Sequence, residues 1–414
     1  MRPHRADRAD RERAGAGPPP GPRALRLAGA AAATLLGLGA LRLLGGVGQP
    51  APDPERAAPD EPPPSTAAAT TTTARPRATE GIEGPLPAGL AGTLLYFGGD
   101  RPRVADLGAR TVADVVPQPR GTPSLVIRQG EDPILLHGED VLVLPNRPGA
   151  GSARRLPAVV PRGSPPDAAL VEYLVLQAAG GEQIYVLGFD TTTPGRLTLR
   201  RLPLGGGPPR VVAVLPEGVE PVAMVGGGAL LRTPGGDLEL ASLPDLRRRA
   251  GFGGARLLDA DGGRLALVDE RGDLHLYDVA TRSDRVVNRP PEVFRWEAFI
   301  GGNDTCCQRQ AAFSPDGRAL AVLATMDRGT LTGIALVDTA TLGTTVVGGS
   351  VGPFPTGCLP CLSWRPDGEW LFFMTAQQSL TVVGAWRRGD PAAVRIVARL
   401  GTGSSPTGLV AAGG

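Results

Sequence analysis

The sequence predicts an all-β protein: a β-propeller of about seven four-stranded blades, preceded by an N-terminal membrane helix and a disordered linker. Three observations carry this prediction. The first is a repeat. Ala311 to Thr325 reads AAFSPDGRALAVLAT and Cys361 to Thr375 reads CLSWRPDGEWLFFMT, which places Phe313 over Trp364, Asp316 over Asp367 and Gly317 over Gly368. Each copy is an apolar strand, a tight turn and a second apolar strand. Pro315 and Pro366 preset φ, Asp316 and Asp367 bond their own backbone, and Gly317 and Gly368 accept positive φ. The second is spacing: apolar runs and turn residues alternate from about residue 86 to the end, in units of roughly 47 residues, the length of a propeller blade. The third is that no sustained helical period follows the leader.

The chain divides into four parts. Residues 1–26 hold seven arginines against three acids and form a basic cytoplasmic tail. Residues 27–48 follow, with LAGAAAATLLGLGAL from Leu27 to Leu41 and then Arg42. Fifteen uncharged residues are short for a span of about 20, but a snorkelling Arg42 extends the stretch to a spanning length. The reading is a transmembrane signal-anchor that leaves the basic flank inside and the rest of the chain outside the cytoplasm. The alternative is a cleaved signal and a secreted protein. Residues 49–85, rich in Pro, Ala and Thr, lack an apolar period and read as a disordered spacer. Residues 86–414 are the propeller.

Within it, the units run in order. TLLYFGG from Thr93, PILLHGEDVLVLP from Pro133, a long pair from Ala169 to Asp190 and PVAMVGGGALLRTPGGDLELASL from Pro221 precede the most regular unit. That unit, Ala255 to Val287, contains YDVATRSD, mirrored by VDTATLGT in the next. Asp278 and Asp338 in these stretches read as turn formers. The first unit has no innermost strand ahead of Thr93, and the apolar run Gly408 to Ala412 is spare. The expectation is that the C-terminus supplies that strand, closing the ring.

Composition limits the chemistry. All 43 basic residues are arginine, so no lysine can form a Schiff base or a Walker-type phosphate site. A formal charge of +2 and 4% aromatics argue against a nucleic-acid partner. His137 and His275 are the only histidines after His4, and neither has an evident partner. No catalytic residue, cofactor site or metal site is assigned.

Cys306, Cys307, Cys358 and Cys361 are the sharpest local signal. Cys307 and Cys358 each lie six residues ahead of the aligned Phe313 and Trp364, so the two loops are equivalent in neighbouring units. In an exported protein they are disulfide candidates, with inter-unit pairing favoured and connectivity open. A zinc site and a redox CxxC remain alternatives. The loops before the inner strands are the candidate binding surface, with Asn303, Asp304, Gln308, Arg309 and Phe354 as its residues.

The FSPDG-type hairpin from Phe313 to Gly317, with SWRPDG from Ser363 to Gly368, resembles the repeats of the TolB-like (WD40-like) β-propellers of the bacterial envelope. The resemblance covers about a third of the chain and implies fold rather than activity. The expected function is a membrane-anchored, extracytoplasmic protein- or ligand-binding scaffold at the cell envelope, with a protein or cell-wall partner. The alternative is an envelope hydrolase or lyase with its site at the channel mouth.

Overall fold

A computed structural model describes residues 81–82, 84–115, 124–137, 140–156, 170–178, 181–189, 196–205, 207–296, 310–326, 331–347, 362–377, 380–390, 395–400 and 408–413. All of them belong to one unit, Arg75–Gly414. They form strands and turns with no helix. The strands are β1 (Gly81–Ile82), β2 (Leu94–Phe97), β3 (Arg103–Asp106), β4 (Thr111–Asp114), β5 (Leu125–Gln129), β6 (Asp132–His137), β7 (Asp140–Val143) and β8 (Arg154–Arg155). Next come β9 (Leu170–Ala178), β10 (Gly181–Phe189), β11 (Leu197–Arg201), β12 (Arg210–Leu215), β13 (Glu220–Val225), β14 (Gly228–Arg232), β15 (Leu238–Ser242) and β16 (Arg248–Phe252). Then β17 (Arg256–Asp261), β18 (Arg264–Val268), β19 (Leu274–Asp278), β20 (Ser283–Val287), β21 (Val293–Arg295), β22 (Ala311–Phe313), β23 (Ala319–Met326), β24 (Leu331–Asp338) and β25 (Thr344–Val347). Last are β26 (Leu362–Trp364), β27 (Trp370–Gln377), β28 (Leu380–Arg387), β29 (Arg395–Leu400) and β30 (Leu409–Ala412).

Successive strands pair antiparallel, up and down, in short sheets such as β17-β18-β19-β20. The first strands of successive sheets touch one another in sequence: β5 meets the β9–β10 hairpin, and β9, β13, β17, β22, β26 and β30 follow, with β30 returning to β5. This closed ring is the architecture of a β-propeller. Three sheets are fused by single residue pairs, Gly181 with Gln129 and Ala223 with Gln177, into one continuous sheet of twelve strands.

The hydrophobic core follows from the ring. Both faces of each sheet are covered, so apolar clusters lie between neighbouring sheets all the way round. That is why β23 (ALAVLATM) is buried at every position rather than at alternate ones.

Both chain ends seal the ring. β30 pairs antiparallel with β2, Leu409 opposite Phe97 and Ala412 opposite Leu94, and so supplies the inner strand that the first unit lacks. β1 adds to the outer edge of β29, Gly81 opposite Arg399 and Ile82 opposite Ala398. From there the chain crosses to β2 with Leu90 fully buried, while Arg110 donates to the carbonyls of Gly84 (2.8 Å) and Ile82 (3.2 Å).

The repeat motif forms the expected hairpins. In the first copy Gly317 sits at φ +63° and its N–H donates to Ser314 O, while the Ser314 hydroxyl accepts from Ala319 N at 2.9 Å. In the second, Gly368 sits at φ +71°, and Pro315 of the first turn lies against it. The loops joining third and fourth strands share another device. Asp278 accepts from Thr281 N and Asp338 from Thr341 N, which confirms both as turn formers. Asp106 accepts from Ala109 N in the same way. Arg110, Arg282 and Leu342, each four residues on from its aspartate, all take positive φ.

Candidate functional site in the central channel

The inner strands leave a narrow channel whose end at the first hairpin turns is packed with polar side chains. Arg128, near the end of β5, reaches past β30 and donates from Nη1 to Trp364 O at 2.7 Å. Glu182, at the start of β10 and 7% exposed, accepts from Arg128 N at 3.4 Å. Gly181 makes this approach feasible: at φ +108°, a Cβ there would meet Arg128 O at 2.6 Å. The void left among Arg128, Glu182, Phe313, Ser363, Trp364 and Val410 is about 20 Å³. That is room for about one water molecule.

Buried polar groups tie neighbouring inner strands together. Asp259, 3% exposed on β17, accepts from Phe313 N at 2.6 Å. Trp364 Nε1 donates to Ala312 O at 2.9 Å, and Ser363 Oγ accepts from Ala411 N at 3.0 Å. Arg365, 4% exposed, bonds to the carbonyl of Gly89 and to Asp367. Arg264 bonds to the carbonyl of Gly317 and lies 5.6 Å over the Phe313 ring. Arg388 donates to Asp316 Oδ2 at 2.7 Å.

The carboxyl groups here differ in ionisation. Burial pushes Asp261 above the usual carboxylate range, opposed by Arg264 and Arg128. At Asp316 burial also disfavours the anion, but the Ser314 hydroxyl, Arg318 N and Arg388 outweigh it and hold the group below that range. Asp367 is held low in the same way by Arg365 and Glu369 N, again against burial. A carboxyl set between two guanidiniums is an ion-pair network.

The structure places the sequence-selected residues unevenly. Phe313 and Trp364 come together at the channel void, and Pro315, Asp316, Gly317, Pro366, Asp367 and Gly368 form the turns beside it. Cys306, Cys307, Cys358, Cys361, Asn303, Asp304, Gln308, Arg309 and Phe354 lie outside the described residues. So does the leader at 1–48 and the linker up to residue 80; among the described residues no helix is long and apolar enough to cross a membrane. His275 does have partners. Its Nδ1 lies 3.1 Å from Asp284 and its Nε2 3.5 Å from Asp269, contacts made by adjacent strands that strand alternation alone does not reveal. Among the described residues no group of three His, Cys, Asp or Glu side chains is arranged to hold a metal.

Arg128, Glu182, Asp259, Asp261, Arg264 and Arg365 were not singled out from the sequence. Two signals were available: Asp259 is an acid inside an apolar strand, and Arg365 stands where the other copy of the repeat has Ser314. A wider groove of about 360 Å³ lies under residues 85–88, lined by Leu86, Trp370, Arg387 and Asp390. It opens to solvent.

Among solved structures the chain is similar to TolB from Acinetobacter baumannii. The identity is 14%, the match covers 75% of this chain and 78% of that one, and the TM-score is 0.40. It is also similar to a protein from Lactobacillus plantarum, at 13% identity over 77% of this chain and 98% of that one, TM-score 0.42. A puromycin-hydrolyzing peptidase from Mycobacterium tuberculosis matches at 17% identity over 78% of this chain and 56% of that one, TM-score 0.43. No protein-family profile matches the sequence, and no curated protein matches it.

Proposed function

We propose that this protein is a seven-bladed propeller that serves as a binding scaffold on the outer side of a cell membrane, held there by residues 27–48. The succession of inner strands β30, β5, β9, β13, β17, β22 and β26 supports a count of seven blades. The observation that carries the scaffold reading is the polar packing among Arg128, Glu182, Phe313 and Trp364 at one end of the inner strands. Arg128 bonded to Trp364 O leaves a void of about 20 Å³, against the roughly 300–1,000 Å³ of a small-molecule site. A propeller recognises macromolecular partners on its rims and edges, where large surfaces are available. The basic leader, the apolar stretch with Arg42 and the Pro-rich spacer support the membrane tether, and four cysteines in a chain of 414 residues suit an oxidising compartment.

The test is protease shaving of intact cells, followed by cross-linking of the full-length protein at its native level. Release of the propeller from outside, with discrete macromolecular adducts that survive Asp261→Asn, is the expected result. Protection of the domain from external protease would contradict the tether. A substrate turnover abolished by Asp261→Asn would replace the scaffold with the enzyme reading.

A further inference from the structure

Two strands on different sides of the ring are near copies of each other. β29 reads RIVARL and β12 reads RVVAVL. Each is the outermost strand of its hairpin stack, and their registers match residue for residue. Leu400, Arg399 and Ala398 oppose Thr381, Val382 and Val383, and after a bulge Ile396 and Arg395 oppose Gly384 and Ala385. Leu215, Val214 and Ala213 oppose Leu197, Thr198 and Leu199, and after a bulge at the same place Val211 and Arg210 oppose Arg200 and Arg201.

Their outer edges differ. The edge of β29 is covered by β1, which sits opposite Arg399 and Ala398. The corresponding positions on β12 are Val214 and Ala213, and among the described residues no strand pairs there. The consequence is visible in burial. Ile396 and Arg399 are half-buried beside the covered edge, whereas their counterparts Val211 and Val214 are 60% and 37% exposed, two of the few large apolar side chains left in solvent among the described residues. Among the described residues the other uncovered outer edges carry charged guards against strand addition, except β25 (Thr344–Val347), which has no charge and is only four residues long. β16 has Arg248 and Arg249, β20 has Asp284 and Arg285, β8 is Arg154–Arg155, and Asp114 of β4 is paired with Arg101 and Arg103. β12 is six residues long and carries one charge, at Arg210.

We propose that the outer edge of β12 docks an extended segment of another protein, which joins the sheet as a strand in the way β1 joins β29. Main-chain bonds supply affinity. In the register of β1, the small residue at Gly81's place falls opposite Val214, on the face of the exposed valines. The aliphatic residue at Ile82's place falls opposite Ala213, on the core face. Ile82 is partly buried against the core cluster beside β29. Charge narrows the partner further. β1 is flanked in sequence by Glu80 and Glu83 and lies on a strand with Arg395 and Arg399. β12 keeps Arg210, and the neighbouring β11 ends in Arg200 and Arg201. The segment that fits is therefore a small residue and an aliphatic residue between acids. The inference rests on the scaffold reading and names the class of partner.

The probe is a synthetic peptide of residues 77–86, Arg-Ala-Thr-Glu-Gly-Ile-Glu-Gly-Pro-Leu, added to the full-length protein. Hydrogen exchange should slow across Val211–Leu215 and stay unchanged across Arg395–Leu400. Val214→Glu should weaken binding by about tenfold or more, through like-charge repulsion. Val214→Arg, which copies Arg399 of the covered edge, should leave it within about twofold. Protection confined to β29, binding indifferent to Val214→Glu, or an equally effective scrambled peptide would each overturn the proposal. A concentration-dependent dimer abolished by Val214→Glu would also overturn it, in favour of a second copy of this chain. These outcomes leave the cross-linking test untouched, so either reading can fail without the other.

Discussion

The arc of the ring from β17 through β22 and β26 to β30 and the arc from β5 through β9 to β13 are built from the same kind of sheet but held together differently. In the first, the sheets are sewn by buried side-chain bonds: Asp259 to Phe313 N, Trp364 to Ala312 O, Ser363 to Ala411 N and Arg365 to Gly89 O. Its core holds Trp364, Phe372, Phe373 and Trp386, with the two tryptophans edge to face at 6.3 Å. In the second, the gaps are filled mainly by Leu, Ile and Val, and neighbouring sheets are joined by main-chain pairs at Gln129 and Gln177, with a side-chain bond, from Arg128 N to the buried Glu182, beside them. The sewn arc is the one that contains the junction of the two chain ends. Closing a ring from a linear chain brings together strands far apart in sequence, and directional buried bonds specify that register where apolar packing alone does so weakly.

The comparison can be broken by unequal substitutions. The largest expected effect is Trp364→Ala, about 3–5 kcal/mol, because it removes a fully buried ring and leaves Ala312 O without its donor. Ile127→Val, equally buried in the other arc, should cost about 1 kcal/mol. Urea unfolding of both variants measures the difference, and equal losses would erase the distinction.

Next is Arg365→Ala, expected to cost about 2–3 kcal/mol by removing a buried charged donor that ties the second repeat to Gly89. Arg365→Lys should not restore it, since one ammonium cannot bond both the carbonyl and Asp367 in the guanidinium's fork. A thermal melt in which lysine equals arginine would refute this.

The pH dependence separates carboxyls of the same arc by sign. Asp367 is held below its ordinary range, so its stabilisation is complete above the unfolded value of about 3.9 and disappears as pH falls through the folded one. The stability gap between wild type and Asp367→Asn should therefore shrink in acid. Asp261 is raised, so ionising it in the folded state costs stability, and that cost is relieved as pH falls through its folded value. Asp261→Asn should compare best with wild type near neutrality and lose that advantage in acid. Urea midpoints across a pH series for both variants would show the opposite trends.

The smallest effect concerns the shared loop. Arg282→Gly should raise stability by about 0.5–1 kcal/mol, the relief of a left-handed residue less the entropy of glycine. Denaturant titration resolves it, and a destabilised variant would show that the Arg282 stem contributes packing.

The residues explain why some of this was legible and some was not. Pro315-Asp316-Gly317 was readable because each residue type has one backbone conformation it serves, whatever surrounds it. The C-terminal strand was readable because an unpaired apolar run and a missing inner strand imply each other. The Asp106 loop was missed because Ala109 stands where Thr281 and Thr341 mark the other copies, although the same backbone bond forms. The channel group was out of reach for a different reason. Arg128 finds its acceptor 236 residues away, and nothing local in LVIRQ signals it. The likeness of RVVAVL to RIVARL is present in the sequence, but only the strand lying on β29 gives it meaning.

The central claim is that the chain ends close the ring as part of its cooperative core. Native-state hydrogen exchange at Leu409–Ala412 tests it most directly. The account predicts that these amides exchange as slowly as those of β23 and β27, through global unfolding. Exchange through local fraying, while β23 and β27 stay protected, would contradict it.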